Sequence, residues 1–264
     1  MKSVGIVLSG GGARGAAHLG VLQALGELNV KVAAVSGVSA GAIIGALYAA
    51  GHAPHDILAA LKGRSYFGLS DIAWLKPGIF SAASLRKALS ELIGADDFAR
   101  LKIPLFVTAT DMVSQKSITF SSGKLFDVVI GSSSVPLVFQ PVIFEQYELL
   151  DGGMLNNFPV EPLIGNVDVI IGSHVNRLRD AGDKLKQGKV SVIDQCFHMV
   201  IAAGVQERAS LCNIFIEPQL AGFGMFDIKR ADQLFELGYA AAMEQKHRLL
   251  KLTSSEILQP VQPA

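Results

Sequence analysis

Charge of either sign is scarce in this chain. Lys and Arg number 23 and Asp and Glu 23, together 17% of 264 residues, so the formal net charge is zero. A nucleic-acid surface needs a basic surplus somewhere. Nothing denser than the spaced run Lys184, Lys186 and Lys189 occurs, so nucleic acid is not an expected partner. Cysteine is nearly missing too: Cys196 and Cys212 are the only two. Each lies among apolar neighbours and reads as a small buried hydrophobe. No Cys/His spacing suits zinc, so neither a metal nor a cofactor is expected. Long apolar runs are missing as well. The longest weakly polar stretch, Val38 to Gly51, is too short and too rich in Gly and Ala to cross a bilayer. The first residues form an apolar strand pattern running into glycines, without the hydrophobic region of a signal peptide. A soluble, cytoplasmic protein is the expectation. Disorder is excluded, because half of the residues are hydrophobic.

What is present is an alternation of short apolar runs and helical patterns. Val4 to Ser9 reads as a buried strand, and Val21, Leu22, Leu25 and Leu28 fall on one face of a helix from Ala16 to Leu28. Val30 to Val35 repeats the strand pattern, and Ala40 to Ala50 is a helix of small residues. Strand, helix, strand, helix predicts a parallel sheet with crossover helices. Further helices are expected at Pro54 to Lys62, Leu85 to Ile93, Leu125 to Ile130, Val190 to Arg208 and Ala231 to Lys251. Further strands are expected at Ile103 to Ala109, Ile118 to Phe120, Tyr147 to Leu150, Val167 to Ile171 and Ile214 to Ile216. Gly63 to Phe80 has no period; its aromatics suit either a cover over a site or an ordinary packed loop. No repeat or linker divides the chain. Residues 1–252 are read as one domain and 253–264 as a flexible tail.

Three glycine motifs stand out. Gly10-Gly11-Gly12-Ala13-Arg14-Gly15 is a G-x-G-x-x-G, Gly37-Val38-Ser39-Ala40-Gly41 a G-x-S-x-G, and Asp151-Gly152-Gly153 follows a strand. With 27 glycines in 264 residues, none of them is persuasive alone. Their placement adds weight, because loops after parallel strands share the carboxyl edge of a sheet, where α/β ligand sites form. A serine on a sharp strand-to-helix turn is held exposed, with flanking glycines easing the turn. Backbone N–H groups of a glycine loop at a helix start can hold an oxyanion. Asp151 can take the serine proton or orient the group that does.

Each motif also has a plainer reading. The first loop matches a dinucleotide fingerprint in its letters, but no acidic residue closes the second strand to hold a ribose. Ser39 can simply cap the following helix, and Asp151 can be a turn residue. A Ser-His-Asp hydrolase would draw its base from His174, His198 or His247, none of which lies in a recognisable loop motif.

Taken in order, the motifs resemble the patatin-like phospholipase family, above all its compact bacterial members. Ser132-Ser133-Ser134-Val135-Pro136, Phe139-Gln140-Pro141-Val142 and Thr108-Ala109-Thr110-Asp111 fit the same pattern, as does Asp151-Gly152-Gly153-Met154-Leu155-Asn156-Asn157-Phe158-Pro159. The resemblance covers about residues 4 to 175. It implies an α/β fold, a three-layer α/β/α sandwich around a mainly parallel sheet. It also implies a Ser-Asp dyad without histidine: Ser39 as nucleophile, Asp151 as base, and an oxyanion hole at Gly10, Gly11 and Gly12. Arg14 matches the family's loop arginine, as an electrostatic aid or as part of a structural ion pair. Gly15, Gly37, Gly41, Gly152 and Gly153 are motif glycines. The implied reaction is hydrolysis of lipid or acyl esters through an acyl-serine, with transient contact to a membrane surface. The alternative of another class is an acyl-sensing binding protein of the same fold.

Overall fold

The computed structural model describes residues 2–62, 82–136, 139–177, 199, 204–225 and 227–253. The Gly63 to Phe80 stretch, Cys196, His198, the Lys184 to Lys189 run and residues 254–264 of the expected tail lie outside them.

Strand β1 (Val4–Leu8) is buried on both faces, as a continuous apolar run requires. Helix α1 (Ala16–Glu27) follows through a single 3₁₀ turn at Gly12–Gly15. Strand β2 (Val32–Val38) starts later than its apolar run and continues through Gly37 to the residue before Ser39. Helix α2 (Ala40–Ala50) ends at Gly51, whose φ of 102° provides a left-handed C-cap. Helix α3 (Pro54–Leu61) opens with proline where no N–H partner is needed. Then come α4 (Ala82–Ile93), β3 (Leu105–Asp111), β4 (Lys116–Phe120) and α5 (Phe126–Ser132). They are followed by β5 (Val142–Phe144), β6 (Tyr147–Leu150) and β7 (Val169–Ser173). Short α6 (Val205–Ala209), β8 (Ile214–Ile216), α7 (Ala231–Glu244) and α8 (Lys246–Thr253) complete the described chain. The helix expected over Ala231 to Lys251 is therefore two helices, parted at Gln245.

All eight strands join one mixed sheet in the order β5-β6-β3-β2-β1-β7-β8, with β4 also paired to β3. Strands β3, β2, β1, β7 and β8 run parallel, as the alternating pattern requires. Alternate residues of the central strands feed two cores: Ile6, Leu8 and Val35 face the larger one, under α1, α2 and α5. Val7, Ala34 and Ile170 face a smaller one with Phe158, Leu163 and Cys212. Each such large side chain contributes roughly 1.5–3 kcal/mol on burial. The two layers of cover make this a mostly parallel sheet with helices on both sides.

Strand β6 departs from the parallel expectation. It runs antiparallel to β3, pairing Leu150 with Thr110 and Leu149 with Asp111. Strand β2 pairs with the earlier part of β3, Leu105 to Thr108, while β4 occupies the other side from Val107 to Asp111. Hence β2 and β6 lie on the same side of β3 and point at each other, tip to tip. Asp151 does not emerge with the parallel strands; it reaches their carboxyl edge from the opposite direction, because β3 overshoots that edge.

One contact far from this edge bears on it. Helices α1 and α7 pack backbone to backbone: a Cβ at Gly20 would lie 2.0 Å from the Phe235 carbonyl oxygen, and one at Gly238 1.9 Å from that of Ala17. The helix that carries the glycine loop is thus fixed by a late element of the chain.

Candidate active site

Ser39 stands where β2 turns into α2, with φ 53° and ψ −124°. A residue with a Cβ pays about 1–3 kcal/mol for such a conformation. The strain falls on Ser39 itself, not on the flanking glycines, which are needed for space. A Cβ at Gly37 would lie 2.5 Å from the Gly41 oxygen, and one at Gly41 2.2 Å from the Leu8 oxygen. Gly15 brings α1 against α2 in the same way, its Cβ position 2.9 Å from the Cβ of Ala40.

Ser39 does not cap the helix with its side chain. Its Oγ donates to Asp151 Oδ2 at 2.6 Å. Its carbonyl oxygen accepts from the amides of Ala42 and Ile43, starting α2. The plain-cap reading of Ser39 therefore fails, and the turn reading of Asp151 holds only in part. Asp151 Oδ1 accepts from the Gly153 amide at 2.8 Å, as a turn residue would. Its other oxygen is free for the serine. Asp151 is buried, and burial raises its carboxyl from 3.8 to about 6, against the lowering effect of the bonds from Ser39 and Gly153.

Hydroxyl groups that no motif singled out hold the pair. Ser132 Oγ accepts from the Ser39 amide at 2.9 Å and donates to the Thr108 oxygen at 2.6 Å. Ser133 Oγ has one hydrogen to share between the Val129 oxygen at 2.9 Å and the Ser39 oxygen at 3.2 Å. The Asp151 amide donates to the Ser134 oxygen at 2.9 Å, and Thr110 Oγ1 donates to the Asp151 oxygen at 3.0 Å. The serine run was visible only as a resemblance; its work is to tie the nucleophile turn to the acid loop. Gly152 lies in the same junction, its Cβ position 2.2 Å from the Thr108 oxygen.

The glycine loop lies alongside. A Cβ at Gly10 would sit 3.1 Å from that of Ser39. Gly12 has φ 58° and no room for a side chain, since its Cβ position is 2.4 Å from the Met225 oxygen. Ala13 donates its amide to that same oxygen at 2.8 Å. Among the described residues, no acceptor takes the amides of Gly11 and Gly12, which leaves them free for a negatively charged oxygen. Arg14 is buried and turns back on its own loop, its Nε donating to the Gly11 oxygen at 3.4 Å.

None of the described histidines bonds to Ser39 or Asp151. His18 Nε2 donates to the Ser9 oxygen at 2.9 Å, so in the neutral ring Nδ1 accepts from Ser173 Oγ at 2.7 Å. Burial holds His18 near 4, well below its ordinary value, and so uncharged. His174 Nδ1 faces Glu217 at 2.7 Å, and His247 is exposed on α8. No group of three His, Cys, Asp or Glu among the described residues is placed to hold a metal, and no described helix is long and apolar enough to cross a membrane.

A strained serine on a strand-to-helix turn thus donates to a buried carboxyl beside the glycine loop. Comparison with known proteins identifies the family. The patatin-like phospholipase profile matches residues 6–164, and the chain belongs to that family. An uncharacterized NTE family protein of Mycobacterium tuberculosis is 34% identical over 186 residues, covering 67% of this chain and 52% of that protein. Lysophospholipase nte1 of Aspergillus fumigatus is 27% identical over 271 residues, 90% of this chain and 18% of that protein. This chain thus spans about half the length of the mycobacterial relative and less of the fungal one. VipD from Legionella pneumophila shares the fold, with a TM-score of 0.55 at 16% identity over 94% of this chain and 67% of that one.

Proposed function

We propose that this chain is a serine acyl hydrolase cleaving carboxylic esters of lipids or lipid-like molecules through Ser39 and Asp151. The observation that carries the reading is the 2.6 Å bond from Ser39 Oγ to a buried Asp151. A carboxyl raised to about 6 is ionised at neutral pH yet basic enough to accept a proton. As Ser39 Oγ attacks the ester carbonyl, its proton passes to Asp151 Oδ2 and the carbonyl electrons move onto oxygen. The amides of Gly11 and Gly12, in the loop whose Gly10 abuts Ser39, are assigned to stabilise the oxyanion. Collapse expels the alcohol, which takes the proton from Asp151 and leaves an acyl-Ser39. Water then attacks, passing its proton to Asp151. The C–Oγ bond breaks, Ser39 is reprotonated, and the acid leaves.

Lipid substrates are supported by family membership and by the relative named a lysophospholipase. Leu155, 49% exposed directly after the acid loop, offers an apolar contact for a lipid surface. The working unit is read as residues 1–252, because Met225 and α7 support the glycine loop. Labelling with a fluorophosphonate probe, followed by peptide mass spectrometry, tests the reading. Modification of Ser39 in the wild type, lost or slowed in Asp151→Asn, is expected. A folded wild type that takes no label would overturn the hydrolase reading in favour of an acyl-sensing protein.

A further inference from the structure

Two adjacent asparagines follow the acid loop, and they are used differently. Asn156 is occupied by the fold: its Nδ2 donates to Glu161 Oε2 at 3.0 Å and its Oδ1 accepts from the Phe158 amide at 3.2 Å. Asn157 is only 4% exposed, and among the described residues neither its Nδ2 nor its Oδ1 has a hydrogen-bond partner. A buried, unpaired carboxamide costs stability in the resting protein. Such costs persist where the group serves the chemistry.

Its position indicates what it serves. A Cβ at Gly10 would lie 2.4 Å from Asn157 Oδ1, and one at Gly153 2.6 Å from the same atom. The carboxamide oxygen is therefore lodged between the α-carbons of two glycines, one from each loop of the site. Gly10 abuts the Ser39 side chain, and the Gly153 amide holds Asp151 Oδ1. One flat side-chain end thus touches both the oxyanion loop and the acid loop, with only weak Cα–H contacts to either. It also accounts for glycine at both positions, since a methyl group on either side would collide with it.

We propose that Asn157 is a positioning residue: a spacer that sets the gap between the two loops, and with it the distance of the Gly11 and Gly12 amides from Ser39. The proposal rests on the hydrolase reading given above. Asn157→Ala removes the spacer and lets the loops close. A misplacement of this kind costs about a hundredfold in kcat, with KM kept within about twofold. The melting temperature is expected to stay level or rise, because an unpaired amide has gone.

Asn157→Asp keeps the flat outline. It is expected to recover at least about ten times the Ala rate above pH 8, with its acid limb displaced upward because a second carboxyl opposes ionisation of Asp151. The experiment is steady-state hydrolysis of a short-chain p-nitrophenyl ester, with fluorophosphonate labelling and thermal melts, on wild type and both variants. Wild-type kcat in Asn157→Ala overturns the proposal. So does a loss that merely follows the folded fraction, or an Asp variant no better than Ala. If Ala fails to fold, the Asp variant decides alone: wild-type kcat above pH 8 supports the spacer, and a loss as large as that of Asp151→Asn overturns it. Absence of labelling in the wild type would instead refute the hydrolase reading, independently of Asn157.

Discussion

On one side of the site β2 brings Ser39 up in the direction of the parallel strands; on the other, β6 brings Asp151 back to meet it. The two sides are held in different ways. Around Ser39 the close neighbours are main chain: the Gly37 and Gly41 positions press on the oxygens of Gly41 and Leu8. Around Asp151 the contacts are hydrogen bonds: Thr110 Oγ1 donates to its carbonyl oxygen, its amide donates to the Ser134 oxygen, and Ser39 Oγ and the Gly153 amide hold its carboxyl. Main chain cannot move aside, so the first side admits one residue type at its glycines. Hydrogen bonds can lengthen or change partner, so the second can be loosened without being lost. Damage to the glycine packing should therefore appear as misfolding, and damage to the hydrogen bonds of either residue as slower chemistry in a folded protein.

Gly41→Ala should give the largest effect. Its methyl would sit 2.2 Å from the Leu8 oxygen and 2.6 Å from that of Ser9, with no side chain free to yield. A loss of about 4 kcal/mol or more is expected, read as a melting temperature lower by roughly 10 °C or more. A variant that melts with the wild type would break the contrast.

Asp151→Asn should lower turnover by about 10²–10⁴-fold while leaving the fold intact, and its stability should change with pH in a defined sense. Below pH 3.8 the carboxyl is protonated in both folded and unfolded chains, so it contributes no difference. Between 3.8 and about 6 the folded form keeps a proton that the unfolded chain has lost, so stability falls as pH rises. Above 6 the full cost is in force. The variant should therefore melt higher than wild type at pH 8, by up to roughly 3 kcal/mol, and show no gain below pH 4. The acid limb of wild-type kcat/KM should have its midpoint near pH 6 for the same reason. A variant less stable than wild type at pH 8 would show that the carboxylate's bonds outweigh its burial.

Ser132→Ala is the mildest test. It strips partners from the Ser39 amide and the Thr108 oxygen, both buried, at a cost of about 1–3 kcal/mol. Turnover should drop about tenfold with KM unchanged, since the nucleophile turn is loosened and the binding surface is not. An unchanged turnover would mean that the backbone alone holds Ser39.

The same division governs what could be read from the letters. Glycines at 12, 37 and 41 are visible because backbone crowding forbids alternatives, and those at 10 and 15 because the side chains of Asn157 and Ala40 do. The strands β1, β2, β3, β7 and β8 are visible because burial on both faces makes most of their residues apolar. The direction of β6 is not visible, because four residues carry no mark of polarity along the sheet. Its partner β5 was missed altogether, and the turn between them at Glu145, φ 51°, lacks the glycine or asparagine that would announce a hairpin. The contacts of Met225 and Gly238 were hidden for another reason: they act through carbonyl oxygens, which every residue has. Asn157 lies in a segment that fits the family pattern, but only three-dimensional neighbours reveal that it has no partner among the described residues.

The close crossing of α1 and α7 bears on how far this catalytic arrangement is portable. A fragment trimmed to the motifs, residues 4–175, would carry every recognisable letter of the site. It would nonetheless lack the Met225 carbonyl against which Gly12 and Ala13 rest, and the helix that fits into Gly20. The motifs are therefore not a transplantable cassette. In a mutational library the late helix should be as unforgiving at Gly238 as the glycine loop it steadies, although more than two hundred residues of chain separate them.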